Sequence, residues 1–263
     1  VWGNEEVTGT QLELKNVTFS YDGKRDVLKN VSMTFPEKGM TAIVGESGCG
    51  KSTVVNMLIG AYRPKAGEVT VGGKPLASVT REAYYSHIAS VSYNTYIFND
   101  SVRANFELAK KNVSDEEIWA ALEKVNLAGF IKENGGLDKV ITEDANNVSG
   151  GQKQRLALAV NLVADKDIYV FDEATSNIDI ESEAIIMDNI KAMSKNKSVI
   201  VISHRLANVV PADNIYYMEE GEVKESGSHA QLMSAQGGYA KLYTAQKQLE
   251  EGYKEITGAE VNA

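Results

Sequence analysis

The sequence predicts an α/β fold with a mainly parallel central sheet. Residues 40–44 form a short apolar run typical of a buried strand, and residues 53–59 have the apolar composition of a helix. A glycine-rich stretch separates the two, so strand, loop and helix follow one another directly. Two further apolar runs, at residues 168–171 and 198–202, have the length of buried parallel strands.

The glycine-rich stretch GESGCGKST matches the pattern G-x-x-x-x-G-K-[ST] through Gly45, Gly50, Lys51 and Ser52. Small residues let backbone N–H groups turn toward phosphate oxygens, and the following helix adds the positive end of its dipole. Lys51 brings charge to the terminal phosphates, and the Ser52 hydroxyl can ligate Mg²⁺. We therefore predict that the whole loop binds a nucleoside triphosphate: Gly45, Glu46, Ser47, Gly48, Cys49, Gly50, Lys51, Ser52 and Thr53.

The bulk composition limits the classes of function. With 263 residues the chain fits one large domain or two small ones, and 43% apolar content can build a sizeable core. The net charge of −9 argues against a nucleic-acid groove, which needs clustered Lys and Arg. The single cysteine, Cys49, excludes an internal disulfide and fits a reducing compartment. Its thiol, at a helix start, is a candidate for alkylation that ATP would block; the alternative is a small residue that fills the loop.

Targeting signals are not predicted. No apolar stretch reaches the roughly 18 residues that suggest a transmembrane helix, and the first residues, VWGNEEVTG, lack the charged region and apolar core of a signal peptide. Because the chain does not begin with Met, we expect a processed or excised part of a larger protein.

The first third of the chain is predicted to be rich in strands. Residues 1–10 read as a polar linker, and a β-rich segment follows from Leu12 to about Phe35. Tyr21 lies in this segment and is interpreted from the residues alone as an ordinary strand aromatic, with stacking on an adenine ring as the alternative. A hairpin around residues 68–73 and a strand at residues 88–92 complete this part; these two are predicted from the turn and β-branched residues.

The pattern becomes helical at about residues 95–165. Two S-x-x-[EQ] capping boxes begin helices here, one at Ser114 and one at residues 149–152. The second could be an ordinary well-capped helix, but Gly150 and Gly151 in its first turn cost helix stability. Glycines at a helix start are explained if a ligand must approach the backbone closely.

Acidic and basic side chains follow the two later strands. The run at residues 168–171 ends in Asp172 and Glu173, and the run at residues 198–202 is followed by His204. Because parallel strands end at the same edge of a sheet, we expect all three side chains near the phosphate loop. Asp172 is suited to the metal side, Glu173 to activating water as a general base, and His204 to contacting a terminal phosphate. The rest is predicted as a helix over 179–193, a hairpin near 220–221, a helix over 239–251 and a polar tail over 251–263.

In this order the motifs resemble the nucleotide-binding domain of ATP-binding cassette (ABC) proteins, over about residues 11–250. The most specific segment is VSGGQ, at residues 148–152, which is similar to the family signature LSGGQ with Val in place of Leu. The resemblance implies a RecA-like core with an N-terminal antiparallel β subdomain and an inserted helical subdomain at about residues 95–165.

The resemblance also implies roles for single residues. Tyr21 corresponds to the aromatic that stacks on adenine, which reverses the first interpretation. Asp172 corresponds to the acid associated with Mg²⁺, Glu173 to the catalytic base and His204 to the switch histidine. Residues 176–179 correspond to the loop that touches an opposite subunit. The signature residues implied to bind ATP are Ser149, Gly150, Gly151 and Gln152.

Such domains pack in pairs, head to tail, with ATP of one domain covered by the signature helix of the other. The implied partners are therefore a second nucleotide-binding domain, identical or paralogous, and the transmembrane domain of a transporter, with no nucleic acid. Residues 136–138, 225–229 and 238–243 are similar to exporter patterns. The resemblance thus implies ATP and Mg²⁺ as ligands, ATP hydrolysis that drives export, and a place on the cytoplasmic face of the cell membrane.

Two departures from the family pattern leave alternatives open. Tyr93 stands where the family usually has a Gln that contacts Mg²⁺, and residues 142–145 keep only Glu143 of the usual exporter loop. Such drift often accompanies heterodimeric exporters with two unequal sites. The alternatives are a nucleotide-dependent dimerisation switch with weak turnover, or a non-transport ABC ATPase, which a single cassette and a net charge of −9 disfavour.

Overall fold

The computed structural model describes residues 2–142 and 147–259, which form two sheets with helices packed on them. The strands are β1 Leu12–Phe19, β2 Leu28–Phe35, β3 Gly39–Gly45, β4 Ala66–Val71, β5 Lys74–Pro75, β6 Ile88–Ser92, β7 Ile168–Asp172, β8 Ser198–Ile202, β9 Asn214–Glu219 and β10 Glu222–Gly227. The helices are α1 Lys51–Leu58, α2 Arg81–His87, α3 Val102–Ala109, α4 Asp115–Lys124, α5 Ala128–Glu133, α6 Gly150–Val163, α7 Ile180–Met193, α8 His229–Ala235 and α9 Gly238–Ala259. Short 3-10 turns lie at Gly136–Asp138 and Leu206–Asn208.

The larger sheet is six-stranded, in the order β10-β9-β3-β8-β7-β6. Strands β9, β3, β8, β7 and β6 are parallel neighbours, and only β10 runs antiparallel, as the hairpin partner of β9. The smaller sheet, β2-β1-β4-β5, is antiparallel throughout and is built from the N-terminal third of the chain. The predicted α/β class, with a mainly parallel sheet and an N-terminal antiparallel sheet, is confirmed.

The parallel sheet separates two hydrophobic cores, because successive side chains of a strand point to opposite faces. On β7, Ile168 and Val170 pack into the core shared with α1 and the antiparallel sheet. Tyr169 and Phe171 pack into the other core, together with side chains of α3, α4 and α6. Both faces are therefore covered, which explains why these strands read as continuous apolar runs.

The capping boxes predicted from the sequence are both present. Ser114 caps α4 and Ser149 caps α6; in each, the cap hydroxyl accepts from the N3 backbone N–H and the N3 side chain accepts from the cap N–H. The C-terminal helix α9 extends to Ala259, past the predicted end at residue 251. A single helical glycine, Gly252, costs only about 1 kcal/mol, and the helix formers around it offset that cost.

Residues 2–6, expected to be part of a linker, pack against the domain. Gly3 N donates to Val79 O at 3.0 Å, and Glu5 N donates to Ser78 O at 2.9 Å. The Trp2 ring lies against Tyr84 and Tyr85, with centroids 5.8 and 5.6 Å away. Among the described residues, no helix has the length and apolarity needed to cross a membrane.

The end of α1 is held by two tyrosines of α2. The hydroxyl of Tyr84, which is fully buried, donates to Leu58 O, and the hydroxyl of Tyr85, which is 36% exposed, donates to Ile59 O at 2.9 Å. These bonds satisfy carbonyl groups that have no partner inside the helix.

We expect Tyr84→Phe to lower the free energy of unfolding by about 1–3 kcal/mol, because a buried carbonyl is left without a donor. Tyr85→Phe, the matched control, should cost less than about 1 kcal/mol because water can replace its hydroxyl. Urea denaturation followed by circular dichroism measures both. Equal losses in the two variants would contradict this account of the α1 anchor.

Candidate functional site

Three strand ends meet at one edge of the parallel sheet. In the register of β7 with β8, Asp172 lies beside Ile202, and in the register of β3 with β8, Ile43 lies beside the same Ile202. The loop after β3 is the phosphate loop, and the residue two places after β8 is His204. The parallel pairing thus brings the predicted loop, acids and histidine together.

A cavity of about 310 Å³ opens at this edge. Its lining residues are Val27, Ser47, Gly48, Gly50, Lys51, Ser52, Thr53, Asp172, Glu173, Ile202 and His204. Of the predicted loop residues, Gly45, Glu46 and Cys49 line neighbouring cavities on other sides of the loop. Sequence reasoning missed Val27, which has no chemical group that would mark it. A larger cavity of about 640 Å³ lies beside Trp2 and α1 and contains none of the predicted site residues.

Helix α1 begins without a side-chain cap. Its N-cap residue, Gly50, has φ +113°, no side chain accepts a hydrogen bond from the first turn, and that turn holds no acidic residue. Gly48 also has a left-handed backbone, with φ +80°. The free N–H groups and the positive end of the helix dipole therefore face the cavity, where an anion would satisfy them.

The Lys51 side chain is folded into the loop itself. Its Nζ donates to Gly45 O at 2.5 Å and to Glu46 O at 3.0 Å, and the residue is only 8% exposed. Cys49 is 5% exposed, and its Sγ occupies the space beside Gly45, 2.6 Å from where a Cβ would stand on that glycine. The geometry therefore favours the interpretation of Cys49 as a small residue that fills the loop.

Asp172 and Glu173 are half-buried carboxylates. Burial raises the pKa of both, and the charges of His204 and Lys51 oppose that rise. Among the described residues, Glu173 Oε1 has no hydrogen-bond partner, and it lies 3.4 Å from His204 Nε2. Glu173 also has φ +53°, a left-handed conformation that is uncommon for residues other than glycine, and its N–H donates to Ile202 O at 2.9 Å. Unsatisfied buried atoms and strained backbone concentrate at functional sites.

Tyr21 lies past the end of β1, so its first interpretation as a strand residue is wrong. Its hydroxyl is 3.0 Å from Thr53 Oγ1 and accepts from Asn56 Nδ2 at 3.1 Å. The ring packs edge-on against Phe19 and Tyr62, with centroids 4.8 and 5.2 Å away, and is 51% exposed. These contacts fix an accessible aromatic ring against the helix that follows the phosphate loop.

The signature residues do not line the phosphate cavity of their own chain. Ser149 Oγ accepts from Gln152 N, and Gln152 Oε1 accepts from Ser149 N, so both side chains form the cap of α6. A Cβ on Gly151 would stand 2.8 Å from Asn177 O, whereas a Cβ on Gly150 would meet nothing within 4 Å. The lack of a side chain therefore has a different explanation at each position. Gly151 permits close packing within the chain, whereas Gly150 faces open space.

A buried glutamine that sequence reasoning missed ties α6 to the loop after Glu173. Gln154, which is 6% exposed, donates from Nε2 to Ala174 O at 2.5 Å and accepts from Asn177 N at 3.2 Å. No local signal in the sequence marks this residue, because its partners lie 20 or more positions away.

Tyr93 follows Ser92, which lies beside Asp172 in the register of β6 with β7. It is 54% exposed and lines a cavity of about 320 Å³ with Tyr96, Gly150 and Asn177, among others, but not with Ser52 or Asp172. Of the predicted exporter loop at residues 142–145, Glu143 and the two residues after it lie outside the described residues.

The comparisons with known proteins agree with this geometry. The family model described as ABC transporter matches residues 28–176. An uncharacterized ABC transporter ATP-binding protein of Haemophilus influenzae is 41% identical over 97% of this chain and 45% of its own length. The ATP-dependent lipid A-core flippase of Haemophilus ducreyi is 39% identical over 93% of this chain and 43% of its own length.

A solved structure has the same fold. The bacterial Atm1-family ABC exporter with ATP bound superimposes with a TM-score of 0.87 and 32% identity, over 94% of this chain and 44% of that one. This chain therefore spans less than half the length of the relatives that it matches. It belongs to the ABC transporter family, and it is similar to the ATP-binding domains of exporters.

Proposed function

We propose that this chain is the motor domain of an ABC exporter, which binds ATP at the phosphate loop and hydrolyses it with Glu173. The observation that carries this proposal is the shared cavity: the uncapped start of α1, Lys51, Asp172 and the unpartnered carboxylate oxygen of Glu173 all line it or face it. In this proposal the adenine ring stacks on the exposed ring of Tyr21, and residues 45–53 hold the phosphates.

The residues at the strand edge fit Mg²⁺ bound together with ATP. The Ser52 hydroxyl and the Asp172 carboxylate are hard oxygen donors in the same cavity. Mg²⁺ usually takes one or two protein oxygens and fills its other positions with phosphate oxygens and water. When bound, it would neutralise charge on the phosphates.

Glu173 is suited to polarising the attacking water. The Oε1 atom of Glu173 can accept a hydrogen bond from water. Burial keeps the pKa of the Glu173 carboxyl above that of an exposed glutamate, which makes it a stronger base. The φ of +53° fixes the direction in which the side chain leaves the backbone. His204, 3.4 Å from the same oxygen, is placed to contact the γ-phosphate that the water attacks.

The position of the signature residues supports a head-to-tail pair. Ser149 to Gln152 lie away from the phosphate cavity of their own chain, and the Gly150 side of the α6 start is open. In the proposed pair, this helix start covers the ATP of a second nucleotide-binding domain, identical or paralogous, and ATP holds the two domains together. Hydrolysis would remove that contact.

Transport itself requires parts outside this chain. The relatives are about twice as long, and they include a lipid A-core flippase and, among solved structures, an Atm1-family exporter. We infer that this domain acts at the cytoplasmic face of the cell membrane, where it moves a transmembrane domain that recognises the cargo.

A second candidate function is a nucleotide-driven dimerisation switch with little turnover. The residue that favours it is Tyr93. This phenol stands where the family usually has a Gln that contacts Mg²⁺, and it does not line the cavity that contains Ser52 and Asp172. Steady-state ATP turnover of the purified protein separates the two: negligible turnover that Tyr93→Gln restores would favour the switch.

We expect Glu173→Gln to abolish steady-state ATP hydrolysis, by at least about 100-fold, because the amide cannot accept the proton of water. ATP binding should persist and a dimer should accumulate, since the contact made by ATP is no longer removed. A coupled phosphate-release assay measures the first effect and light scattering on a size-exclusion column the second. Unchanged hydrolysis would refute the role of Glu173.

The two signature glycines provide a matched pair in the Glu173→Gln background. Gly150→Ala should leave the thermal midpoint unchanged or slightly raised, since alanine favours a helix by up to about 1 kcal/mol, and should prevent the ATP-dependent dimer. Gly151→Ala should destabilise the monomer by roughly 1–3 kcal/mol, because its Cβ meets Asn177 O. A Gly150→Ala protein that still dimerises with ATP would contradict the head-to-tail arrangement.

A further inference from the structure

The loop that carries His204 is held in part by Ser203, whose Oγ accepts from Arg205 N at 3.1 Å, and by the ion pair of Arg205 with Glu183, but neither contact reaches the N–H that starts the next turn. Strand β8 ends at Ile202, and the 3-10 turn at Leu206–Asn208 begins without a side-chain cap from Arg205. The His204 side chain is 63% exposed, so packing does not fix it. The backbone N–H of Leu206, at the start of the turn, would be left without a partner unless another element supplied one.

Helix α9 supplies that partner through Gln246. The side-chain Oε1 of Gln246 accepts from Leu206 N at 2.7 Å, and its Nε2 donates to His204 O at 2.5 Å. One amide group thus holds the backbone on both sides of Arg205. A primary amide is suited to this task because it carries a donor and an acceptor on the same planar group.

The helix that carries Gln246 is itself fixed two turns earlier. Tyr239 is fully buried; its N–H donates to Glu225 Oε2 at 3.0 Å, and its hydroxyl lies 2.8 Å from His229 Nδ1. Between α9 and the phosphate loop is a cavity of about 250 Å³, lined by Glu46, Ser47 and His204 on one side and by α9 side chains including Gln246 on the other. Helix α9, anchored at Tyr239, therefore lies next to the phosphate loop and His204.

We propose that Gln246 is a positioning residue for ATP hydrolysis: it clamps the His204 loop to α9 and so aims the His204 side chain at Glu173 and the terminal phosphate. This inference rests on the proposed function, in which His204 contacts the γ-phosphate. It makes the C-terminal helix part of the hydrolytic apparatus through its contact with the His204 backbone.

The test compares Gln246→Ala, Gln246→Glu and Gln248→Ala. Glutamate keeps the acceptor for Leu206 N but loses the donor to His204 O, and Gln248 is an exposed glutamine on the same helix that serves as the control. We expect kcat to fall by roughly 10- to 100-fold in both Gln246 variants, because small misplacements of a catalytic group have effects of this size. KM for ATP and the thermal midpoint should stay near wild type, and Gln248→Ala should behave as wild type throughout.

Two further measurements separate positioning from a general structural effect. Hydrogen exchange of the Leu206 amide should accelerate in Gln246→Ala and stay protected in Gln246→Glu. In a double-mutant cycle with His204→Ala, the loss of kcat should not be additive, because Gln246 acts only through His204.

The outcomes that overturn the inference are distinct from those that overturn the proposed function. Three results would each refute the clamp and leave the proposed function intact. They are a normal kcat in Gln246→Ala while His204→Ala has a reduced kcat, additive losses of kcat in the double-mutant cycle, and an unchanged exchange rate of the Leu206 amide in Gln246→Ala. Full turnover in His204→Ala would refute the role of His204 and, with it, the purpose of the clamp.

Discussion

The parallel pairing of β3, β8 and β7 is the constraint on which the rest of the molecule depends. It places the end of β3, and with it the phosphate loop, at the same sheet edge as Asp172 and the His204 loop. A parallel sheet requires long crossover connections and cover on both faces. The two cores provide that cover, and the connections include α1, which follows the phosphate loop, and α6, which carries the signature residues.

The strand edge combines several features that cost stability. Helix α1 starts without a side-chain cap, Glu173 has a left-handed backbone and a carboxylate oxygen without a hydrogen bond among the described residues, and the N–H of Leu206 depends on a distant side chain. Such features persist only where surrounding packing is strong enough to impose them. Here they lie at the ends of strands whose other residues are almost completely buried, so the sheet supplies the rigidity that the edge lacks.

The sequence allowed most of the fold to be predicted, because apolar runs and capping boxes are local signals. Three strands and two helix caps have such local signals, and their predicted positions agree with the structure within one residue. They are the strands Ile88–Ser92, Ile168–Asp172 and Ser198–Ile202 and the caps Ser114 and Ser149. The grouping of Lys51, Asp172, Glu173 and His204 followed from topology.

What could not be predicted depends on contacts between distant segments. Nothing near Gln154 or Gln246 in the sequence marks either side chain, because each acts on backbone atoms of a loop 20 or more positions away. Tyr21 was first taken for a strand residue because β-propensity continues past the point where the chain leaves the sheet. Helix α9 continues past residue 251 because the helix formers around Gly252 offset the cost of that glycine.

The docked N-terminal segment has a mechanical consequence. Trp2 packs on Tyr84 and Tyr85 and also against Gly60, where a Cβ would stand 2.7 Å from the indole ring. The same two tyrosines hold the last carbonyls of α1, and the first residue of α1 is Lys51. A displacement of the N-terminal segment would therefore be transmitted to the phosphate loop through one short helix, α1.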